Sequence, residues 1–148
     1  MRLLAALAVA LALPSEHATV ALSNNHAGAR PVALTVSFRT ELQCGRLQGR
    51  TVSLQLPQAE RMPASVPASA VLIGTSTASR VAVSGRTLEI GLPVPHGVTC
   101  EALAPGVVRI AVARAANLGN PAAAASYAVV VRHATGVARG VMRIAAAG

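Results

Sequence analysis

The feature that most constrains this chain is a two-residue turn between two alternating segments. Arg80-Val81-Ala82-Val83-Ser84 and Thr87-Leu88-Glu89-Ile90-Gly91-Leu92 flank Gly85-Arg86. Apolar side chains recur at every second position, the period of a strand with one buried face. Glycine at the first central position selects a type II′ hairpin turn, because that position needs a positive φ. The turn sets Ser84 opposite Thr87, Val83 opposite Leu88 and Val81 opposite Ile90. A slip of one residue would turn one apolar row toward solvent, so turn and pattern specify the same register. The register leaves Glu89 on the outer face, diagonal to Arg80, where a cross-strand ion pair is expected.

The same period recurs along the chain. In Val32 to Phe38 the even positions are apolar, and Thr51 to Leu56 repeats the pattern until Pro57 stops it. A Pro- and Ser-rich connection containing Pro63 and Pro67 precedes a short strand at Val71-Leu72-Ile73. Val107 to Ala113 places Val108, Ile110 and Val112 on one face. Tyr127 to Arg132 does the same with Tyr127, Val129 and Val131, and a turn at Thr135-Gly136 leads into Ala138 to Ile144. Eight short strands with regular turn signals predict an all-β, antiparallel β-sandwich. Phe38 and Tyr127 are the only aromatics, so the core must be built from Val, Leu, Ile and Ala. The Tyr127 ring is expected in that core, with its hydroxyl bonded at the edge.

The first residues read as an export leader. Arg2 gives a positive start, Leu3 to Leu13 is apolar, and Pro14 to Ala18 is a polar exit. Cleavage is expected near Ala18 or Ala21. That divides the chain into a leader (1–21), a flexible lead-in (22–30) and one β-sandwich domain (31–148). The apolar run is shorter than the ~20 residues that span a bilayer, so no transmembrane segment is expected. In an exported chain Cys44 and Cys100 are expected to form a disulfide. Counting connections between the eight strands, Cys44 falls in the first and Cys100 in the fifth. Odd connections share one pole of an antiparallel sandwich, which leaves 57–67, Gly85-Arg86 and 114–125 at the other.

The charges narrow the chemistry. All 13 basic residues are Arg and all five acidic ones are Glu, for a net charge of +8. With no Asp, a Ser-His-Asp triad and an Asp-based calcium loop are excluded. No Gly-x-Ser-x-Gly elbow is present, and His17, His26, His96 and His133 lack metal-ligand spacing. Glu41 and Glu101 flank the cysteines. With Arg39 and Arg46 close by, they read as ion-pair partners rather than as the facing carboxylates of a glycosidase. No catalytic residue, metal or cofactor is expected. The positive charge suits an anionic partner, but nucleic acid is disfavoured because two aromatics cannot supply stacking platforms. The loop residues Arg61, Arg114, Asn117 and Asn120, at the pole away from the cysteines, are the binding candidates. Asn117-Leu118-Gly119-Asn120-Pro121 is equally good turn chemistry, since Asn and Gly tolerate left-handed backbone.

From Thr51 to Ile144 the chain resembles a known kind of module. The elements that carry the likeness are Leu56-Pro57, Met62-Pro63, Val81-Ala82-Val83-Ser84-Gly85, and Ala115 to Pro121 followed by Ser126-Tyr127-Ala128-Val129. They are similar to the immunoglobulin-like β-sandwich modules repeated in secreted and surface-layer-associated proteins of Gram-positive bacteria. Ala116 and Ser126 stand where those modules usually carry Gly. The resemblance implies an extracellular setting and transfers no catalytic residue. The expectation is a secreted, non-catalytic module, structural or adhesive, in the cell envelope or extracellular matrix. Its partners would be copies of itself, other envelope proteins or an anionic wall polymer. A carbohydrate- or anionic cell-wall-polymer-binding protein is the second reading and a small secreted hydrolase the third.

Overall fold

The computed structural model describes residues 16–39, 50–93, 107–133 and 136–147. Within them lie ten strands: β1 (Glu16–Leu22), β2 (Leu34–Arg39), β3 (Thr51–Gln55), β4 (Val71–Ile73), β5 (Ser76–Thr77), β6 (Arg80–Ser84), β7 (Thr87–Gly91), β8 (Val107–Val112), β9 (Ala125–His133) and β10 (Gly136–Ile144). They form one mixed sheet in the order β5-β4-β8-β2-β1-β10-β9-β3-β7-β6. The hairpin β6–β7 has the register its turn dictates, from Ser84↔Thr87 to Arg80↔Gly91. Gly85 carries φ 58° and Arg86 is not among the positive-φ residues, as a II′ turn requires.

The sheet has to curl. Its first and last strands, β5 and β6, are separated only by Ala78 and Ser79. Three Cα steps reach at most ~11 Å, so the two edges come together. The link is stitched to both sides: Ala78 N–H donates to Val71 O and Ser79 N–H to Gly91 O, each at 2.9 Å. The result is a half-barrel. Leu34, Val36, Phe38, Leu54, Leu88, Ile90, Val108, Ile110, Val129, Val131 and Met142 fill it, each no more than 2% exposed.

The eight strands read from the sequence are all present, but the antiparallel sandwich of seven or eight strands is corrected to ten strands in a mixed sheet. The two additions are β5, too short at two residues to show a period, and β1. β1 runs antiparallel to β2 from Ala18↔Phe38 to Leu22↔Leu34, and parallel to β10 at Glu16↔Ala138 and His17↔Arg139. It therefore joins the two halves of the sheet. Its alternation is masked because Ala and Val continue the composition of the apolar run before it.

β1 is built in rather than appended. Ala18 is 2% exposed, and a Cβ on Gly140 would stand 2.7 Å from the Ala18 carbonyl oxygen, so β10 carries glycine where β1 crosses it. Cleavage after Ala18 or Ala21 would take three or six of the strand's seven residues. The stretch 22–30, expected as a flexible lead-in, is bonded along its length. Ala27 N–H donates to Ala145 O and Gly28 N–H to Pro121 O.

Arg39 pairs with Val107 and Thr51 with Gly91. The two segments bearing the cysteines thus leave and rejoin the sheet at one pole. Cys44 and Cys100 themselves, with Glu41, Glu101 and His96, lie outside the described residues.

Candidate functional site

At the opposite pole three connections meet: 23–33, 56–70 and 113–124. After β8 a 3-10 turn, Arg114–Ala116, ends on Asn117 with φ 63°, a left-handed conformation that Asn tolerates. The next four residues each grip another connection. Leu118 O accepts from Val32 N–H at 3.0 Å, and Gly119 exchanges two hydrogen bonds of 2.9 Å with Arg61. A Cβ at Gly119 would lie 3.0 Å from Arg61 Cβ and 3.1 Å from Arg30 Cδ, so any larger residue would push these side chains back by a few tenths of an ångström. Asn120 is fully buried. Its Nδ2 donates to Asn24 O at 2.8 Å and His26 O at 2.9 Å, and its backbone N–H donates to Ala29 O. Pro121 O takes the Gly28 N–H.

The four binding candidates therefore share one pole but not one role. Asn120 commits both donors of its amide to backbone. The Asn117 side chain is exposed, and its Oδ1 accepts from Arg30 Nε at 3.2 Å. Arg61 and Arg114 present exposed side chains. Tyr127 is half-buried with its hydroxyl donating to Ala123 O at 2.7 Å.

Beside this hub sits Glu60, which no sequence pattern marked because the Pro-rich connection has no period to betray burial. It is 7% exposed, and neither carboxylate oxygen has a partner among the described residues. Burial without a donor pushes its pKa up to about 7. It lines a cavity of about 500 Å³ with Gln58, Met62, Gly85 and Arg86. The Arg86 guanidinium meets the Gln55 side-chain oxygen at 2.7 Å when that amide is oriented to accept.

A larger groove, about 680 Å³, follows the seam between β1 and β10. The two strands pair at Glu16 and His17, part, and meet again where His26 bridges Ala145. Residues 20–26 line one wall and 141–143 the other. On the adjoining outer face of β9 and β10 stand Arg132, Arg139 and Arg143, all exposed. In sequence these arginines are dispersed, and the strand register brings them to one face. On the same half of the sheet, Glu89 accepts from Ser53 Oγ at 2.7 Å, while Arg80 donates to Thr51 Oγ1 at 3.1 Å. The expected Glu89–Arg80 pair is replaced by these two hydroxyl contacts on β3: Ser53 lies directly opposite Glu89, and Arg80 reaches Thr51 across Gly91, which has no side chain in the way.

At the pole where β2 ends and β8 begins, His133 Nε2 meets Glu16 Oε2 at 2.9 Å and its ring stacks on Phe38 at 5.2 Å. This ties the start of β1 to β9. Among the described residues no group of three His, Cys, Asp or Glu side chains is placed to hold a metal ion. No helix among them is long and apolar enough to cross a membrane.

The sequence matches no protein-family model and no curated protein, so the immunoglobulin-like repeat modules suggested by the loop motifs find no family match. In fold the chain is similar to the crystal structure of BslA, a bacterial hydrophobin. The TM-score is 0.53 at 15% identity, covering 89% of this chain and 98% of that one. It is also similar to the N-terminal domain of the Streptococcus gordonii adhesin Sgo0707, with a TM-score of 0.48 at 10% identity, covering 87% of this chain and 32% of that one. At these identities the likeness is one of fold.

Proposed function

We propose that this is an exported, non-catalytic β module with a structural role at the bacterial cell surface or in the extracellular matrix. The observation that carries the reading is the fold likeness to a bacterial hydrophobin over 89% of this chain and 98% of that one. The strand order supports an immunoglobulin-type ancestry for the fold. β4-β8-β2-β1 and β10-β9-β3 follow the D-E-B-A and G-F-C orders of that sandwich, with β6–β7 added beyond β3. Because β1 is central, the exported chain keeps it, and the leader ends before Glu16.

Self-association is the expected mode of action, and β6 supplies an edge for it. Ser84 and Thr87 close a two-residue turn, so the ladder bonds of β6 to β7 fall on Ser84, Ala82 and Arg80. The N–H groups of Val81 and Val83 point outward, free to pair with another copy. Val81→Pro removes one of them without breaking a ladder bond.

The test begins with the amino-terminal sequence of the exported protein, expected to start at or before Glu16. Sedimentation velocity and interfacial rheology follow, with association and an elastic film expected of the wild type. Val81→Pro should weaken association about tenfold, ~1.4 kcal/mol, with the circular dichroism unchanged. A mature protein that stays monomeric at high concentration and forms no film sinks the structural reading. A second reading, binding of an anionic wall or matrix polymer, is favoured by the exposed arginines of β9 and β10.

A further inference from the structure

We propose that the seam groove and the arginines beside it form one binding surface for a carboxylated polysaccharide. This deepens the polymer-binding reading and rests on it. Arg139 and Arg143 project from the same face of β10, four residues apart, which strand geometry makes ~13 Å. Arg132 stands on β9 opposite Val137, two residues along from Arg139 and one strand over, or ~8 Å away. Among the described residues no hydrogen bond or ion pair occupies any of the three guanidinium groups. His17, exposed, sits across from Arg139. Among the described residues the acid on that face of the sheet is Glu89, whose carboxylate accepts from Ser53.

The charged face and the groove are continuous, because Val141 and Arg143 belong to both. The opposite wall carries Ser23, Asn24, Asn25 and His26, and Val20, Ala21 and Leu22 continue it along β1. A sugar polymer with periodic carboxylates matches this set. Arginine forks take carboxylates in bidentate pairs, amides and a hydroxyl meet the sugar hydroxyls, and the aliphatic lining, with exposed Val141 on the arginine face, meets the C–H faces.

The polar wall is held in place before any ligand arrives. Asn120 Nδ2 holds the carbonyls of Asn24 and His26, Asn24 Oδ1 accepts from His26 N–H, and His26 Nδ1 lies 3.0 Å from Ala146 O. A wall fixed in this way loses little conformational freedom on binding. Single-stranded nucleic acid fits less well: Phe38 is buried and Tyr127 packs against the core, so neither offers a base a stacking platform in the groove. A bilayer fits less well because the surface is a concave groove bordered by charge.

The experiment titrates the mature protein with polygalacturonate over a range of salt concentrations. Dextran, inorganic polyphosphate, single-stranded DNA and anionic phospholipid vesicles serve as comparisons. Tightest binding to polygalacturonate is expected, falling as salt rises. Changing Arg132, Arg139 and Arg143 together to Gln should weaken it about 100-fold and flatten the salt dependence by about two to three released ions. Asn25→Ala, whose side chain makes no structural bond, should weaken binding about tenfold. Arg109→Gln, an exposed position on β8 in the other half of the sheet, should leave it unchanged.

If polyphosphate or DNA binds as tightly and Asn25→Ala is silent, the surface is only an ion exchanger and the proposal fails. Preference for vesicles overturns it as well. If the wild type binds polygalacturonate and the triple variant binds equally, this surface is wrong while the polymer reading stands. If the wild type binds none of the polymers, both fail, and self-association through β6 remains a separate measurement.

Discussion

Asn120 and Glu60 are the two polar residues buried as a whole among the described residues. They are neighbours through the backbone, because Gly119 and Arg61, the residues beside them, exchange two hydrogen bonds. Each leaves oxygen without a partner among the described residues, Asn120 its Oδ1 and Glu60 both carboxylate oxygens, yet only Asn120 has donors to spend. The Asn120 amide spends both donors on carbonyls of the connection 23–33, which an irregular loop would otherwise bury unpaired. Glu60 can only accept when ionised, and neither of its oxygens has a hydrogen-bond partner among the described residues. Burial of a donor-bearing amide among orphan carbonyls is a rivet. Burial of a carboxylate in the same neighbourhood is a liability that the protein meets by keeping the proton on, with the pKa raised to about 7.

The comparison is broken most severely at Asn120. Asn120→Leu keeps the volume and strands the Asn24 and His26 carbonyls, at about 1–3 kcal/mol each. A loss of roughly 2–5 kcal/mol in urea unfolding is expected. Asn120→Asp should cost more, since it deletes the same donors and adds a buried charge. If Asn120→Leu unfolds within 0.5 kcal/mol of the wild type (about the scatter of a surface substitution), the rivet is not one.

Glu60 gives the next effect, with a sign that follows from its pKa. The unfolded chain releases this proton near 4.5, and the folded chain only near 7. Between those values the unfolded state binds fewer protons, so the contribution of Glu60 to stability is full below pH 4.5 and lost as pH rises to 7. The loss is on the order of 3 kcal/mol, flat above pH 7. Glu60→Met should erase this slope and be the more stable protein at pH 8. A wild-type minus Glu60→Met difference that does not change between pH 4.5 and 7 would show that the carboxyl finds a partner in solution. Asn120→Leu, which adds no titratable group, should lower stability by the same amount at every pH in this window.

Legibility in the sequence follows the range of the interactions. β6 and β7 were readable because a glycine turn and a period of two sit within twelve residues and specify the same register. Asn117 was readable as a turn residue because its left-handed φ is a local demand. β1 was hidden: its neighbours β2 and β10 are set by distant pairing, and its Ala- and Val-rich composition blends into the apolar run before it. Glu60 and the arginine trio were hidden for the same reason. Burial in an aperiodic loop, and the meeting of Arg132 with Arg139 across β9 and β10, are properties of the register and leave no trace in spacing.

Asn117 sharpens the comparison at its fine end, being the same residue type as Asn120 three positions earlier. What it supplies is backbone tolerance rather than side-chain donors, because its Oδ1 bond to Arg30 is exposed. Asn117→Ala should therefore cost about 1 kcal/mol, the strain of a Cβ-bearing residue at positive φ without a polar side chain to ease it. Asn117→Gly removes the Arg30 contact and relieves the φ, so it should change stability by less than about 0.5 kcal/mol. Arg30→Ala should be equally mild. Were Asn117→Gly to cost as much as Asn117→Ala, the hydrogen bond to Arg30 would be the contribution that matters. The hub would then be held by side chains at both of its asparagines.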